Sequence, residues 1–589
     1  MIIKALSDYY YSLLKKGKDI PVSGWCYEKV SYALSITDEG ELAEVVSLLE
    51  KETDAKGKSR IVPSKILVPE RVIRTAAISS NFLCDKPDYM LGISEPADKK
   101  NSARFEACRE LHRSILDNVN TPEAAAVLKF FDLWNPEKAH EHQALKDCFE
   151  DIYTAGNLIF MYHGRYITDY ESIKSAWNSR KNGGEIGLCM VSGQHREIAK
   201  LHTQIRGVRG AQSSGASMVC FNNDAVESYG KHNSQALNAP VSKDIMFAYT
   251  TALSYMLANR EHNVISFDNL TIFCWAKSAE DEYSDVMRVL YGMPSPISEN
   301  DVTHVISELA KGHRVDISGM VLAPDEEFYI LGISPNASRL SVRFFLKNSF
   351  GSFAKNIDEH YKRLEIISSG AIGKIPSIGG MLKETVRDKM KDEPEPTLAA
   401  AVLKAVFNNT VYPASLFFGV IKRLKADKSI TRSRAAIIKA YLIKNSTNKK
   451  LKEALTLELN DECKYTPYLL GRAFAVCEKI QKSTFEDKDK ANKSDDEPKR
   501  DTIKDKYFDS ACATPALVFP QILKLKNYHI KSLKSEYPGL AIYYEKTLSE
   551  ILSSVDSGFP KSLNMEEQGV FILGYYHQTQ KFYAKKEEE

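Results

Sequence analysis

The sequence predicts an α+β fold: a mixed N-terminal region with antiparallel strands and helices, followed by a C-terminal all-α helical bundle. Strand-like and helix-like patterns are interleaved up to residue 365 without a regular βαβ rhythm, which points away from a parallel doubly wound sheet. Beyond residue 365 the strand signals nearly vanish, and helix signals recur through the last third of the chain.

Taken in order, Ile2, Leu6, Tyr9 or Tyr10 and Leu13 fall at helical spacing and predict a first helix. The stretch VSYALSITDEGELAEVVSLL alternates apolar residues around Asp38, Glu39 and Gly40, the signature of a hairpin. Residues 52–66 are Lys-rich and polar and read as a surface loop. SSNFLCDKPDYMLG, Ser79 to Gly92, carries an aromatic pair and a turn at Lys86-Pro87-Asp88. Residues 104–150 have a helical pattern, and short strand-like runs follow at Ile159–Tyr162 and Leu188–Ser192. Ile245–Leu257 predicts a helix, and Asn269–Ala276 a buried strand. Phe328–Ile333 and Ser341–Phe345 predict two further strands.

Residues 399–445 are helical and basic. The charged, low-complexity stretch Glu486–Lys506 reads as a linker between helical blocks. Thr514 is placed to cap a helix that opens with Pro515, and Pro520 predicts a kink one turn in. Asn564 with Glu567 three residues on resembles a capping box, and Phe571, Tyr575 and Phe582 share one face of the helix that follows. The expected domains are 1–365, a basic helical connecting region 366–460, and a bundle 461–589.

With 589 residues the chain is too long for one core. Its formal net charge of +2 argues against a strongly basic standalone nucleic-acid binder but leaves local basic surfaces open. Ten cysteines without a CxxC pair give neither a zinc ribbon nor a disulfide framework. The opening MIIKALSDYYYSLLKK lacks a signal-peptide core, and no window approaches an uninterrupted apolar span, so the expectation is a soluble cytoplasmic protein.

The most unusual stretch is GVRGAQSSGASMVCFN, Gly207–Asn222, followed by ESYGKHNSQALNAPVS, Glu227–Ser242. Loops have a median of about 4–6 residues, and a longer polar segment tends to bind something. Two readings stand side by side. Backbone amides with Arg206 and Arg209 could cradle phosphates, with Lys200 and His202 just upstream, or only small residues could fit a buried crossing. Asn222, Asn233 and Asn238 suit turns. The Ile421–Lys452 block places Arg423, Arg432, Arg434, Lys439 and Lys444 on a helical pair, either a solvated face or a strip along a nucleic-acid backbone. Catalytic signatures fail: there is no P-loop, no HExxH, no zinc spacing and no nucleophile elbow. A hydrolase or nuclease using His202 with Ser213 or Ser214 stays as an alternative, as does a purely structural scaffold. No cofactor and no metal are expected.

Several long motifs in the same order carry a resemblance. They are MIIKALSDYYYSL, NFLCDKPDYMLG, IAKLHTQIRGVRGAQSSGASMVCFN, SYGKHNSQALNAPVS, YILGISPNASRLSVRFF, TPYLLGRAFAVCEKIQ, ATPALVFPQILKL and FPKSLNMEEQGVFILGYYHQTQKFY. Over nearly its whole length the chain resembles the large-subunit family of the subtype I-C CRISPR surveillance complex, Cascade. The resemblance implies a non-catalytic subunit that inspects duplex DNA for a short protospacer-adjacent motif (PAM), stabilises the R-loop and recruits a helicase–nuclease. Implied partners are the repeated backbone subunits, the 5′-handle-binding subunit, the CRISPR guide RNA, target double-stranded DNA with its displaced strand, and small subunits. No membrane partner is implied. Residues 1–365 would then serve PAM inspection and docking, and 461–589 would resemble the small subunit. By residue type, Asn81, Phe82, Gln212, Ser213, Ser214 and Asn238 are candidates for reading the motif. Lys200, Arg206, Arg209, Lys231, Arg423, Arg432, Arg434 and Lys439 are candidates for phosphate contacts.

Overall fold

Two compact units divide the chain in a computed structural model. The first is Met1–Gln204 with Val219–Tyr255, and the second is Ile205–Met218 with Met256–Glu589. The structure describes all residues except 54–58, 73, 75–77, 97, 147, 155, 181–183, 222–223, 229, 231–234, 268, 318, 370, 373, 492–500, 557 and 584–589.

The first unit opens with the amphipathic helix α1 (Ile2–Lys15), whose Leu6, Tyr9, Tyr10 and Leu13 are buried as their spacing requires. A seven-stranded sheet follows, made of β1 (Trp25–Ile36), β2 (Leu42–Ser47), β3 (Leu49–Thr53), β4 (Ser59–Pro69), β5 (Cys84–Asp85), β6 (Asn157–Tyr162) and β7 (Arg165–Tyr166). Its main path runs β3-β4-β1-β6-β5. The β1–β2 hairpin turns at Thr37–Glu41 as expected, whereas β1 and β6 run parallel. The Lys-rich stretch expected to be a loop is mostly strand β4, paired with β1 and β3. Helices α2 (Pro87–Met90), α3 (Asn101–Leu116), α4 (Pro122–Leu133), α5 (Phe149–Thr154) and α6 (Glu171–Ser179) accompany this sheet. Phe82, Phe130, Phe131, Phe160 and Trp177 centre the core. A small pair, β8 (Ile186–Leu188) and β9 (His195–Glu197), precedes α7 (Lys243–Ala258).

The second unit holds α8 (Arg260–Asn263) and an antiparallel sheet of β10 (Val264–Phe267), β11 (Leu270–Ala276), β14 (Glu327–Asn336) and β15 (Arg339–Ser349). Between β11 and β14 lie α9 (Asp281–Tyr291), α10 (Glu299–Ala310) and the hairpin β12 (Val315–Ile317)–β13 (Met320–Leu322). Helix α11 (Phe350–Leu364) follows β15, and the short pair β16 (Ile367–Ser368)–β17 (Ala371–Ile372) is the last strand structure. The rest is helical: α12 (Ile378–Lys383), α13 (Pro396–Phe407), α14 (Ala414–Asp427), α15 (Arg432–Asn445), α16 (Thr466–Ala491), α17 (Ile503–Ala513), α18 (Pro515–Glu536), α19 (Pro538–Ser553) and α20 (Met565–Tyr583). The α+β class and the helical last third are therefore as predicted.

The expected divisions at 365/366 and 460/461 both fall inside the second unit, and one apolar core runs across them from Ile265 to Tyr576. Helices α16 and α20 lie backbone to backbone at Gly471 and Gly574. The capping box of α20 forms as read: Asn564 N donates to Glu567 Oε2 at 2.8 Å, and Glu567 N donates to Asn564 Oδ1 at 3.0 Å. At Thr514 the outcome differs. Its hydroxyl donates back to Ser510 O at 3.1 Å, so the helix that opens with Pro515 has no side-chain cap. Pro520 sits within α18, which continues to Glu536. The expected charged linker is shorter than its composition implied: α16 runs to Ala491 and α17 begins at Ile503, and residues 492–500 lie outside the described ones. No helix among the described residues is long and apolar enough to cross a membrane.

Candidate nucleic-acid interface

The unusual Gly/Ser stretch resolves into a pinned base and an exposed tip. Ile205 and Ala216 exchange both backbone hydrogen bonds, at 2.9 and 3.0 Å, and so close a loop. The next residue fastens it to the β14–β15 turn: Ser217 N donates to Ser338 O, and Leu340 N donates to Ser217 O, each at 2.9 Å. Arg260 donates to Gly207 O, fixing the first turn. Gly210 has φ +79°, and a Cβ there would collide with Asn269 Oδ1 and lie 3.2 Å from Pro335 Cγ. Only glycine meets both demands. Ala216 and Ser217 are buried, whereas Arg206, Arg209, Gln212, Ser213 and Ser214 are all exposed. Packing thus explains the small residues at the base, and nothing in the packing requires the polar residues of the tip.

Within the tip, Gly215 N donates to Gln212 O at 2.9 Å, and Arg206 Nε reaches Ser214 O at 3.4 Å. Arg209 makes no ion pair among the described residues. Neither Ser213 nor Ser214 makes a side-chain hydrogen bond among them. His202, the proposed base of the hydrolase alternative, is buried in the first unit with Nδ1 2.7 Å from the Tyr249 hydroxyl, and burial lowers its pKa to about 4. Lys200 is exposed, and Lys231 lies outside the described residues with Asn222, Tyr229, His232 and Asn233. Asn238 serves a turn: its Oδ1 accepts from Ser228 N, and its Nδ2 donates to Gln235 O, each at 3.0 Å.

The Asn81–Gly92 segment is interior. Asn81 is 2% exposed; its Oδ1 accepts from Val72 N at 2.9 Å and its N–H donates to Asp85 Oδ2 at 2.8 Å, while Nδ2 has no partner among the described residues. Arg74 pairs with the fully buried Asp85 and stacks on the Tyr89 ring. Phe82 is 1% exposed and stacks on Trp177 with ring centroids 5.2 Å apart. His112 Nδ1–H donates to Cys108 O, leaving Nε2 to accept from Leu83 N at 2.9 Å. The structure thus gives Phe82 a core role and keeps it off the surface.

The basic block is also more internal than its charge implied. Arg434 is 3% exposed; its guanidinium binds Glu384 at 3.0 Å, Asp427 at 2.5 Å and Ser429 O at 2.9 Å. Arg423 shares Asp427. Arg432 is half-buried with Nη1 unpartnered, and burial lowers its pKa. Lys439 is 2% exposed. A continuous solvent-facing strip through these four residues is therefore not what the helices present. Arg434→Met should destabilise the second unit by about 2 kcal/mol, because the buried Glu384 would lose its guanidinium hydrogen bond and keep only Lys389. Urea titration checks this; a loss under about 1 kcal/mol would mean that the pairing contributes little.

One feature escaped the sequence: Arg260, which holds the loop from fifty-three residues away and so leaves no local pattern. A profile of the family described as CRISPR-associated protein (Cas_Csd1) matches residues 6–583. The chain belongs to this family. No curated protein matches it. Membership makes the chain a CRISPR-associated Cascade subunit, at work with other Cas proteins and nucleic acid.

Proposed function

We propose that this Cas_Csd1-family chain is the non-catalytic large subunit of a type I-C RNA-guided surveillance complex. In that role it inspects duplex DNA for a PAM, stabilises the R-loop and recruits the helicase–nuclease. The observation that carries the reading is the loop closed by Ile205 and Ala216, whose base is pinned and whose open tip offers two arginines and three uncharged polar side chains. Guide–target pairing reads most of the sequence in such complexes, so the protein needs only local contacts, and a net charge near zero is no obstacle. Arg206 and Arg209 would hold phosphates, while Gln212, Ser213 and Ser214 would face base edges. Asn81 and Asn238 would act by shaping backbone. The α16–α20 bundle would line the displaced strand.

The test is target binding by the assembled complex. The Arg206→Ala/Arg209→Ala double variant should weaken duplexes with and without the motif alike. The slope of log affinity against log salt should fall by about 2, near 0.9 for each phosphate no longer neutralised. Gln212→Ala should instead narrow the difference between the two duplexes. An unchanged salt slope in the double variant would take the loop off the DNA path and leave a scaffold role.

A further inference from the structure

A cleft of about 800 Å³ opens in the second unit between the end of α11, α15 and the irregular segment Leu455–Asn460. Lys439 of α15 lines it although only 2% of the residue is exposed. Among the described residues Lys439 makes neither an ion pair nor a hydrogen bond. Burial lowers its pKa, opposed by the charge of Glu365. An ammonium without a protein partner, on a side chain almost wholly removed from solvent except at the cleft, is a costly arrangement for a protein to keep. The nearby histidine does not relieve it. His577 is held neutral by burial, with Lys439 and Arg472 pushing its pKa further down, to about 3.

The Leu455–Asn460 segment that shares the lining is also short of acceptors. The four successive amides of Thr456, Leu457, Glu458 and Leu459 donate no hydrogen bond among the described residues. The segment itself is held in place: Leu457 O accepts from Ile367 N at 2.9 Å, and Asn460 N donates to the Tyr468 hydroxyl at 3.2 Å. A fixed run of free N–H groups with an unpaired lysine is a donor set for an anion. Two acids, Glu365 and Glu458, share the lining. Successive phosphates of a nucleic-acid strand would meet them, whereas a single carboxylate need face only Lys439. Leu455, Leu457 and Leu459 supply apolar flanks.

We propose that this cleft seats one acidic side chain, an Asp or Glu between apolar residues, presented by a protein partner in the assembled complex. The inference rests on the chain working as a subunit, and it moves Lys439 from a phosphate path to a protein contact. It does not depend on the loop closed by Ile205 and Ala216.

Lys439→Met and Lys439→Arg test it in the full chain and in the DNA-free complex. Lys439→Met should raise the melting temperature of the isolated chain by about 3 °C, since it removes an unpaired buried charge. The same variant should weaken retention of the chain in the complex at least tenfold, and Lys439→Arg should keep part of it. In calorimetry the peptide N-acetyl-Leu-Glu-Leu-amide should bind the native chain, while its Gln counterpart and the Lys439→Met chain with the Glu peptide should give no heat. A lowered melting temperature in Lys439→Met would assign the lysine to the fold and overturn the proposal. Unchanged retention would overturn it too, as would Lys439-dependent binding of oligothymidylate in place of the peptide. These readouts are separate from the loop arginines and duplex DNA, so either proposal can fail alone.

Discussion

Alanine at Gly574 will destabilise the second unit by on the order of 3 kcal/mol, alanine at Gly471 will do the same, and the double variant will lose the α16–α20 pair. A methyl group on Gly574 would collide with the Tyr468 carbonyl oxygen, and one on Gly471 with the Phe571 carbonyl oxygen. The obstacles are main chain, so no rotamer change relieves them. The helices must separate, and separation reaches the aromatic cluster they carry. Phe474 of α16 packs against Phe508 at 5.5 Å, and Phe508 against Phe571 at 5.7 Å and Tyr575 at 5.5 Å. Separation also strains the Tyr468–His577 hydrogen bond, 2.9 Å long, which joins the same two helices. Because the core is continuous from the β10–β15 sheet into the bundle, damage here should not stay local. Each single variant should lower the unit's melting temperature by on the order of 4 °C. A shift below about 1 °C for Gly574→Ala would show that the helices give way easily.

What the sequence made legible depended on how close the partners lie along the chain. The Asn564–Glu567 capping box was readable because both halves sit within one helical turn. The β1–β2 hairpin and the β11, β14 and β15 strands were readable because two-residue alternation and turn residues are local. Basic residues on α14 and α15 were just as visible, and so was Asp427 beside them, but the buried acidic partner of Arg434 was not. Glu384, which binds Arg434, lies fifty residues upstream. Charge without its partner reads as a solvated face, so a structural arginine passed for a phosphate ligand. The division into units was hidden for the same reason. The loop after Gln204 belongs with a hairpin turn at Ser338, through hydrogen bonds that no window of sequence contains. Phe82 shows the converse: its motif was recognisable, yet only the stack on Trp177 assigns it to the core.

Acid should unfold both units earlier than their carboxylates alone would dictate. Four histidines are buried and neutral: His112 and His202, lowered by burial to about 4, and His360 and His577, lowered mainly by burial to about 3. Three of them share one arrangement, Nδ1 against a tyrosine hydroxyl and Nε2 without a partner. The hydroxyls are Tyr249 for His202, Tyr412 for His360 and Tyr468 for His577. An imidazolium needs acceptors at both nitrogens, and Nε2–H would find none there. When pH falls through the ordinary histidine value near 6.5, the unfolded chain takes up these protons and the native chain does not. The unfolded state then binds more protons, so stability falls with pH until the folded values are reached near 4 and 3. Each histidine contributes a slope of up to about 1.4 kcal/mol per pH unit, and each unit holds two, giving nearly 3 kcal/mol per pH unit around pH 5. The half-buried acids Glu308 and Glu327 are held near 2 by hydrogen bonds to lysines, with His313 adding at Glu308 and Tyr329 at Glu327, and lose their stabilisation only as pH drops below their ordinary value near 4.5. Between 6.5 and 4.5 the histidines supply the destabilising slope, opposed in part by Glu70, Asp88 and Asp285, whose carboxyls burial raises so that the native chain takes up their protons first. Urea midpoints measured across that window should fall steeply in the native chain. His360→Gln should remove about one proton's worth of slope from the second unit even if it lowers stability at pH 7. A slope that stays the same in His360→Gln, or one below about 1 kcal/mol per pH unit in the native chain, would mean that water reaches these rings and the burial argument fails.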